Sequence, residues 1–237
     1  MNIKTQKTRL PVIIVLGSPF LLILIDLWFD RGSFTGYLGN IPALPVYAAL
    51  ALVAYLSLLF LNPVLEPQKE EQVKQSRPFR FNDIFSVFWV ITFFILYCIV
   101  LDLLYKLPSN LNTAMPEALI LYPVLAIAVE IIFHIIPVAL LLFIRKLILS
   151  PNREKKPLSW ISFFLWALPA LIIEPLYQIN LPFQNNYHWT LTAFTLFFSF
   201  LFNLTGLRLL YTKGPVPMIL FRLFYYIGWH MLWNLLR

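Results

Sequence analysis

Along this chain, long apolar runs alternate with short polar clusters. The runs cover Leu10 to Trp28, about Val46 to Val64, about Ile84 to Tyr105, Ala118 to Leu149, about Leu158 to Tyr177, about Trp189 to Leu210, and Met218 to Leu236. Each is close to or above the roughly 20 residues that an α-helix needs to cross a bilayer. Inside hydrocarbon the backbone must satisfy its own hydrogen bonds, which such runs do as helices. The pattern predicts an all-α, polytopic transmembrane helix bundle of about seven spans. It forms one integral membrane domain over 1–237, with spans 1–3 in 10–117 and the remainder in 118–237. The fourth run is too long for one crossing, reaching roughly 48 Å at about 1.5 Å per residue against a hydrocarbon core of about 30 Å. It must tilt, protrude or break. Pro123 and Pro137 are placed to kink it, and an eighth half-crossing within it would raise the count to eight.

Composition sharpens this picture. Hydrophobic residues make up 60% of the chain and charged residues 12%, against about 25% charged in soluble domains, which excludes a soluble globular protein. The net charge of +7 does not point to nucleic acid, because Lys and Arg gather at the ends of apolar runs. In a seven-span arrangement 15 of the 18 fall on one side, including Lys4, Lys7 and Arg9, the cluster Arg145 to Lys156, and Arg208, Lys213 and Arg222. Arg31, Lys106 and Arg237 fall on the other. The positive-inside tendency then places the amino terminus in the cytoplasm and the carboxyl terminus outside. The first run is followed by Asp26, Trp28 and Asp30 instead of a small-residue cleavage site, so it reads as an uncleaved signal-anchor. The mixed charges of Glu66 to Asp83 read as a solvated linker or a partner-docking segment. Asn180 to His188, free of Lys and Arg, reads as an external loop. The single cysteine, Cys98, forms no intrachain disulfide and reads as an apolar packing residue. Small size and short loops point to a prokaryotic inner (plasma) membrane.

Within the runs, two polar pairs stand out. Glu130 and His134 are four residues apart, as are His230 and Asn234, and this spacing puts each pair on one helix face. A carboxylate among Ala, Val, Ile and Phe must be neutral, paired or lining a polar cavity. A neighbouring imidazole can share a proton with it or be held by it in one tautomer. The two pairs lie at comparable depths and are expected to meet. Glu174, Asp26 and Asp102 lie nearer run ends and read as interfacial, and His188 opens a span and reads as exposed. Several chemistries stay open. The pairs can form a structural interhelical hydrogen-bond cluster. In a hydrolytic site, Glu130 would be general base toward water, His230 or His134 would shuttle the proton, and Asn234 would donate to a developing oxyanion. Glu130, His134 and His230 are also a permitted zinc ligand set, but less specific in spacing than HExxH, and no metal or cofactor is assigned. A proton-coupled carrier or a membrane scaffold completes the set.

The stretch Gly206-Leu-Arg-Leu-Leu-Tyr-Thr-Lys-Gly-Pro, followed by Ile219 and His230-Met-Leu-Trp-Asn234, resembles the end of the CAAX prenyl protease and bacteriocin-processing (CPBP, Abi-like) family. Val129-Glu130-Ile-Ile-Phe-His134 ahead of Ile135-Ile-Pro137 extends the resemblance over 118–237. It implies a polytopic glutamic intramembrane endopeptidase, with His230 and Asn234 matching the HxxxN motif and Glu130 the second glutamate of EExxxR. The catalytic-site residues so implied are Glu130, His134, His230 and Asn234. The chain also departs from the family pattern. Val129 stands at the first glutamate, to which the resemblance would assign water activation, and His134 stands at the arginine. For the middle FxxxH motif, Phe163 and Phe164 are followed four residues later by Ala167 and Leu168. Losing a base and a proton partner costs several orders of magnitude in rate. Two readings follow: a divergent protease cutting a membrane-embedded peptide, or a catalytically silent relative that binds a partner, lipid or pigment in the same cavity. The partners implied are membrane lipids and a peptide or membrane protein, with no nucleic acid.

Overall fold

The computed structural model describes residues 49, 51–61, 64, 81–107, 113, 115–149, 158–179 and 188–237. The first run with Asp26, most of the linker Glu66 to Asp83, and all of the loop before His188 lie outside them. Each described helix follows one of the runs. We label them α1 (Ala51–Leu61), α2 (Phe81–Tyr105), α3 (Ala118–Glu130), α4 (Ile136–Ile148), α5 (Trp160–Gln178), α6 (Trp189–Lys213), α7 (Pro215–Tyr226) and α8 (Asn234–Leu236). Two π-turns, Ile131–Ile135 and Ile227–Trp233, join α3 to α4 and α7 to α8, so each pair forms one long helix. Among the described residues four segments are long and apolar enough to cross a membrane: Val87–Tyr105, Leu121–Ile148, Trp160–Gln178 and Trp189–Lys213. The final helix is of similar length, but Arg222, His230 and Asn234 interrupt its apolar sequence.

Local chemistry explains where the helices begin and bend. The Ser159 hydroxyl accepts from the Ser162 amide at 3.3 Å and caps α5. His188, exposed as expected, accepts from the Thr190 amide through Nδ1 at 3.3 Å and caps α6. Gly214, at φ 98°, closes α6 in the left-handed region that glycine tolerates. Pro215 opens α7 where no amide hydrogen is needed. The chain thus reverses within one residue, and α6 and α7 pack side by side. The over-long fourth run stays one continuous helix, with Leu121–Ile148 a single apolar span, and its hydrogen-bond ladder widens just ahead of Pro137. A proline nitrogen has no hydrogen to give the helical ladder, and the wider i→i+5 turn lies directly ahead of it. Pro123 stays inside α3.

The helix α3–α4 is the most enclosed of the four spans. It packs on α5 and α7, α6 packs on both of those, and α2 lies against α6, α7 and the second π-turn. The main core joins Ile131, Ile135, Val138 and Leu142 to Phe163, Ala167 and Leu171 of α5 and to Leu207, Leu210 and Met218. Ala54, Leu58 and Leu61 of α1 belong to it, and Phe60 meets Phe143 edge to face at 5.8 Å. A second core sets Ile91 and Phe94 of α2 against Phe202 and Phe221. The outward face of α2 carries exposed Phe88, Trp89, Phe93, Leu96, Leu103 and Leu104. That surface suits lipid tails, which are as apolar as leucine.

Candidate functional site

Among the described residues the most extensive buried polar group is built around Arg222, a residue that charge counting assigned to the cytoplasmic side. It projects from α7 into the bundle and is 2% exposed. Its Nε donates to Glu130 Oε1 at 2.6 Å. Nη1 and Nη2 donate to the two oxygens of Glu174 at 2.7 and 2.8 Å, and Nη2 also donates to Asn203 Oδ1 at 3.1 Å. The planar fork of a guanidinium suits this bidentate geometry. The Phe202 ring lies under the guanidinium, 5.0 Å from centroid to carbon, and adds a cation–π contact. One side chain of α7 therefore ties together α3, α5 and α6. Glu174 Oε1 also accepts from Gln178 Nε2 at 2.9 Å, and the Ser199 hydroxyl donates to Gln178 Oε1. The polar set thereby continues along α5 and α6.

Glu130 and His134 face one another as their spacing predicts. His134 Nδ1 lies 2.8 Å from Glu130 Oε2, and Nε2 lies 3.8 Å from Glu174 Oε2. The first pair is in close ion-pair contact and the second is beyond hydrogen-bond reach. The attraction here is electrostatic. Glu174 is 2% exposed, which corrects its reading as interfacial: the packing of α5 on the α3–α4 helix brings it to the same guanidinium that Glu130 meets. Asp102 is also buried, at 3%, though it keeps its place near a helix end. It accepts from Trp233 Nε1 at 2.7 Å and from the Leu107 amide at 3.0 Å, and it pairs with Arg237 at 3.2 Å.

The second predicted pair sits elsewhere. The His230 ring stacks on Tyr122 at 4.6 Å and meets Tyr226 edge-on at 4.9 Å. Asn234 Nδ2 donates to the Thr113 carbonyl at 3.3 Å, and the Thr113 amide donates to the Tyr122 hydroxyl at 2.7 Å. His230 and Asn234 thus serve one neighbourhood, as their spacing predicts, but it is not that of Glu130. Glu130 meets Arg222 and Tyr122 meets His230, a displacement of eight residues on both antiparallel helices, or about 12 Å of rise. The expectation that the two pairs meet is corrected by this register. The face argument fixes direction around a helix, whereas depth depends on how two helices slide past each other.

Three members of the ionic cluster escaped the sequence reading: Arg222, Glu174 as a buried partner, and Asn203. The signal for the two charged ones was present. Arg222 lies between Leu220-Phe221 and Leu223-Phe224, and Glu174 follows Ile172-Ile173; an ionisable residue with apolar neighbours on both sides must find a partner in the bundle. Cys98, read as a packing residue, sits on α2 with its Sγ 3.1 Å from the Tyr225 hydroxyl. Among the described residues no three His, Cys, Asp or Glu side chains are grouped to hold a metal ion. Comparison of the chain with protein-family models, with curated proteins and with solved structures returns no match.

Proposed function

We propose that this chain is a multi-pass membrane protein of CPBP-like design that works without peptide hydrolysis, as a scaffold binding a membrane partner. The observation that carries this reading is the engagement of Glu130. Its Oε1 is fastened to Arg222 at 2.6 Å, and Arg222 is itself held by Glu174 and Asn203. A general base needs its carboxylate presented to a water and within reach of a proton partner, and here the family-like histidine, His230, stacks on Tyr122 two turns away. The resemblance places an arginine where this chain has His134, and the guanidinium comes instead from α7. The site then acts as an ionic clamp for four helix segments, and the surfaces those helices present do the binding.

The test is purification in detergent with a library of peptides, including prenylated ones, beside Glu130→Gln and His230→Ala. The expected result is no cleavage that depends on Glu130, together with a stable membrane-protein partner that co-purifies and is lost with Glu130→Gln. Cleavage abolished by Glu130→Gln would overturn the proposal and restore the glutamic protease.

One observation favours a second reading, a proton-coupled carrier. Two buried carboxylates face one guanidinium, and His134 stands between them, 2.8 Å from Glu130 and 3.8 Å from Glu174. Proton flux into proteoliposomes, followed with a pH-sensitive dye and abolished by His134→Phe, would establish it. Flux indistinguishable from that of empty vesicles would dismiss it. For orientation we keep the amino terminus in the cytoplasm of a prokaryotic inner membrane. Moving Arg222 into the bundle leaves the Lys and Arg asymmetry nearly intact, and a reporter fused after Arg237 should be active outside the cell.

A further inference from the structure

A groove of about 510 Å³ runs between α5 and α6, lined by Trp160, Phe164, Leu204, Thr205, Arg208 and Leu209. It is separate from the ionic cluster, and its size is within the range of about 300–1,000 Å³ usual for small-molecule sites. Its polarity is ordered along its length. Arg208 and Trp160 stand toward the end of the bundle where α6 finishes and α5 begins, and Leu204 and Phe164 lie one turn deeper. The Thr205 hydroxyl is taken up by its own helix, donating to the Leu201 carbonyl at 2.9 Å, so the deeper part offers only apolar contact. The walls are fixed to one another, because the Tyr211 hydroxyl donates to the Leu158 carbonyl at 2.7 Å across the two helix ends.

The cation at the mouth is held ready. The Arg208 guanidinium lies 4.5 Å over the Trp160 ring and 5.8 Å from Tyr211. Stacking of this kind fixes the plane of the guanidinium and leaves its N–H edge to bind an anion. Arg208 is exposed, and among the described residues no carboxylate pairs with it. The same end of the bundle gathers Arg145 and Lys146 at the close of α4 and Lys213 at the close of α6. Tryptophan beside a basic residue at a helix end is the arrangement found at the headgroup level of membranes.

We propose that this groove is a binding site for an anionic phospholipid, with the headgroup phosphate on Arg208 and an acyl chain along Leu204, Leu209 and Phe164. The order of the groove, cation outside and apolar floor inside, is that of the ligand. An arginine–phosphate pair supplies the preference for anionic over zwitterionic lipid, in which a choline cation competes for the phosphate. This assignment is independent of the scaffold reading and stands or falls separately from it.

The experiment is native mass spectrometry of the delipidated full chain. It is titrated with phosphatidylglycerol, with phosphatidylcholine of the same acyl chains, and with glycerophosphoglycerol as the water-soluble headgroup alone. The wild type should retain one phosphatidylglycerol about tenfold more tightly than phosphatidylcholine, and the soluble headgroup should not be retained. Arg208→Gln should bring phosphatidylglycerol down to the phosphatidylcholine level, and Leu204→Trp, which fills the groove, should weaken both lipids. Lys146→Gln, exposed at the same end, should leave binding within about twofold of wild type, since a site differs from a diffuse field in depending on one cation. The proposal is overturned by equal retention of the two lipids, by Arg208→Gln binding like wild type, by Lys146→Gln losing as much as Arg208→Gln, or by headgroup retention matching that of the lipid.

Discussion

The ionic cluster at Arg222 and the aromatic group at His230 lie on the same two antiparallel helices, about 12 Å apart along them by helix rise, and they are held by different forces. At Arg222, four charged or amide side chains from α3, α5, α6 and α7 converge with hydrogen bonds of 2.6 to 3.1 Å, and His134 lies against the carboxylates. At His230 the ring stacks on Tyr122, and its neighbours Tyr122 and Asn234 bond to backbone atoms of residue 113. In a bundle surrounded by lipid, burying apolar surface between helices gains little over leaving it in hydrocarbon. A charge-assisted cluster there defines one register, since any slide would strand a charge. An aromatic stack tolerates small slides and substitutions. The first region sets how the helices align and the second adapts to that alignment.

The most severe test of this contrast is Arg222→Met, which leaves Glu130 and Glu174 buried together without their cation. Removing one partner of a buried ion pair costs about 3–5 kcal/mol, so the midpoint of thermal unfolding in detergent should fall steeply. Adding Glu130→Gln and Glu174→Gln in the same chain should recover much of the loss, and no recovery would mean that Arg222 acts by filling space. A smaller effect is expected where α2 meets the second π-turn. A Cβ at Gly228 would collide with Ile95 Cδ1 and stand 2.9 Å from Cγ1, so Gly228→Ala should destabilise by about 1–3 kcal/mol through overpacking. Ile95→Ala in the same chain should relieve it, whereas equal stability of wild type and Gly228→Ala would show that Ile95 can turn away. The least effect belongs to His230→Phe, which keeps a ring against Tyr122 and Tyr226 and should change stability by less than about 1 kcal/mol. A loss comparable to that of Arg222→Met would erase the distinction between the two regions.

What was legible in the sequence is instructive at particular residues. The run Trp189 to Leu210 became α6, and its end three residues later, at Lys213, is set by Gly214 and Pro215. The long run from Ala118 carries its π-turn beside Pro137 because a missing amide hydrogen is a local property. The pairing of Glu130 with His134 followed from spacing alone. Arg222 was misplaced because its charge was weighed with a loop count, and the partners that take it into the bundle lie 19, 48 and 92 residues away along the chain.

Among the described residues the sequence by itself therefore determined which runs are helical and the face on which each polar pair lies, since both depend on neighbours within a turn or two. Only the tertiary structure decided which faces meet and at what depth. Depth is a relation between helices, set here by where one guanidinium finds two carboxylates, and it placed Glu130 with Arg222 and His230 with Tyr122.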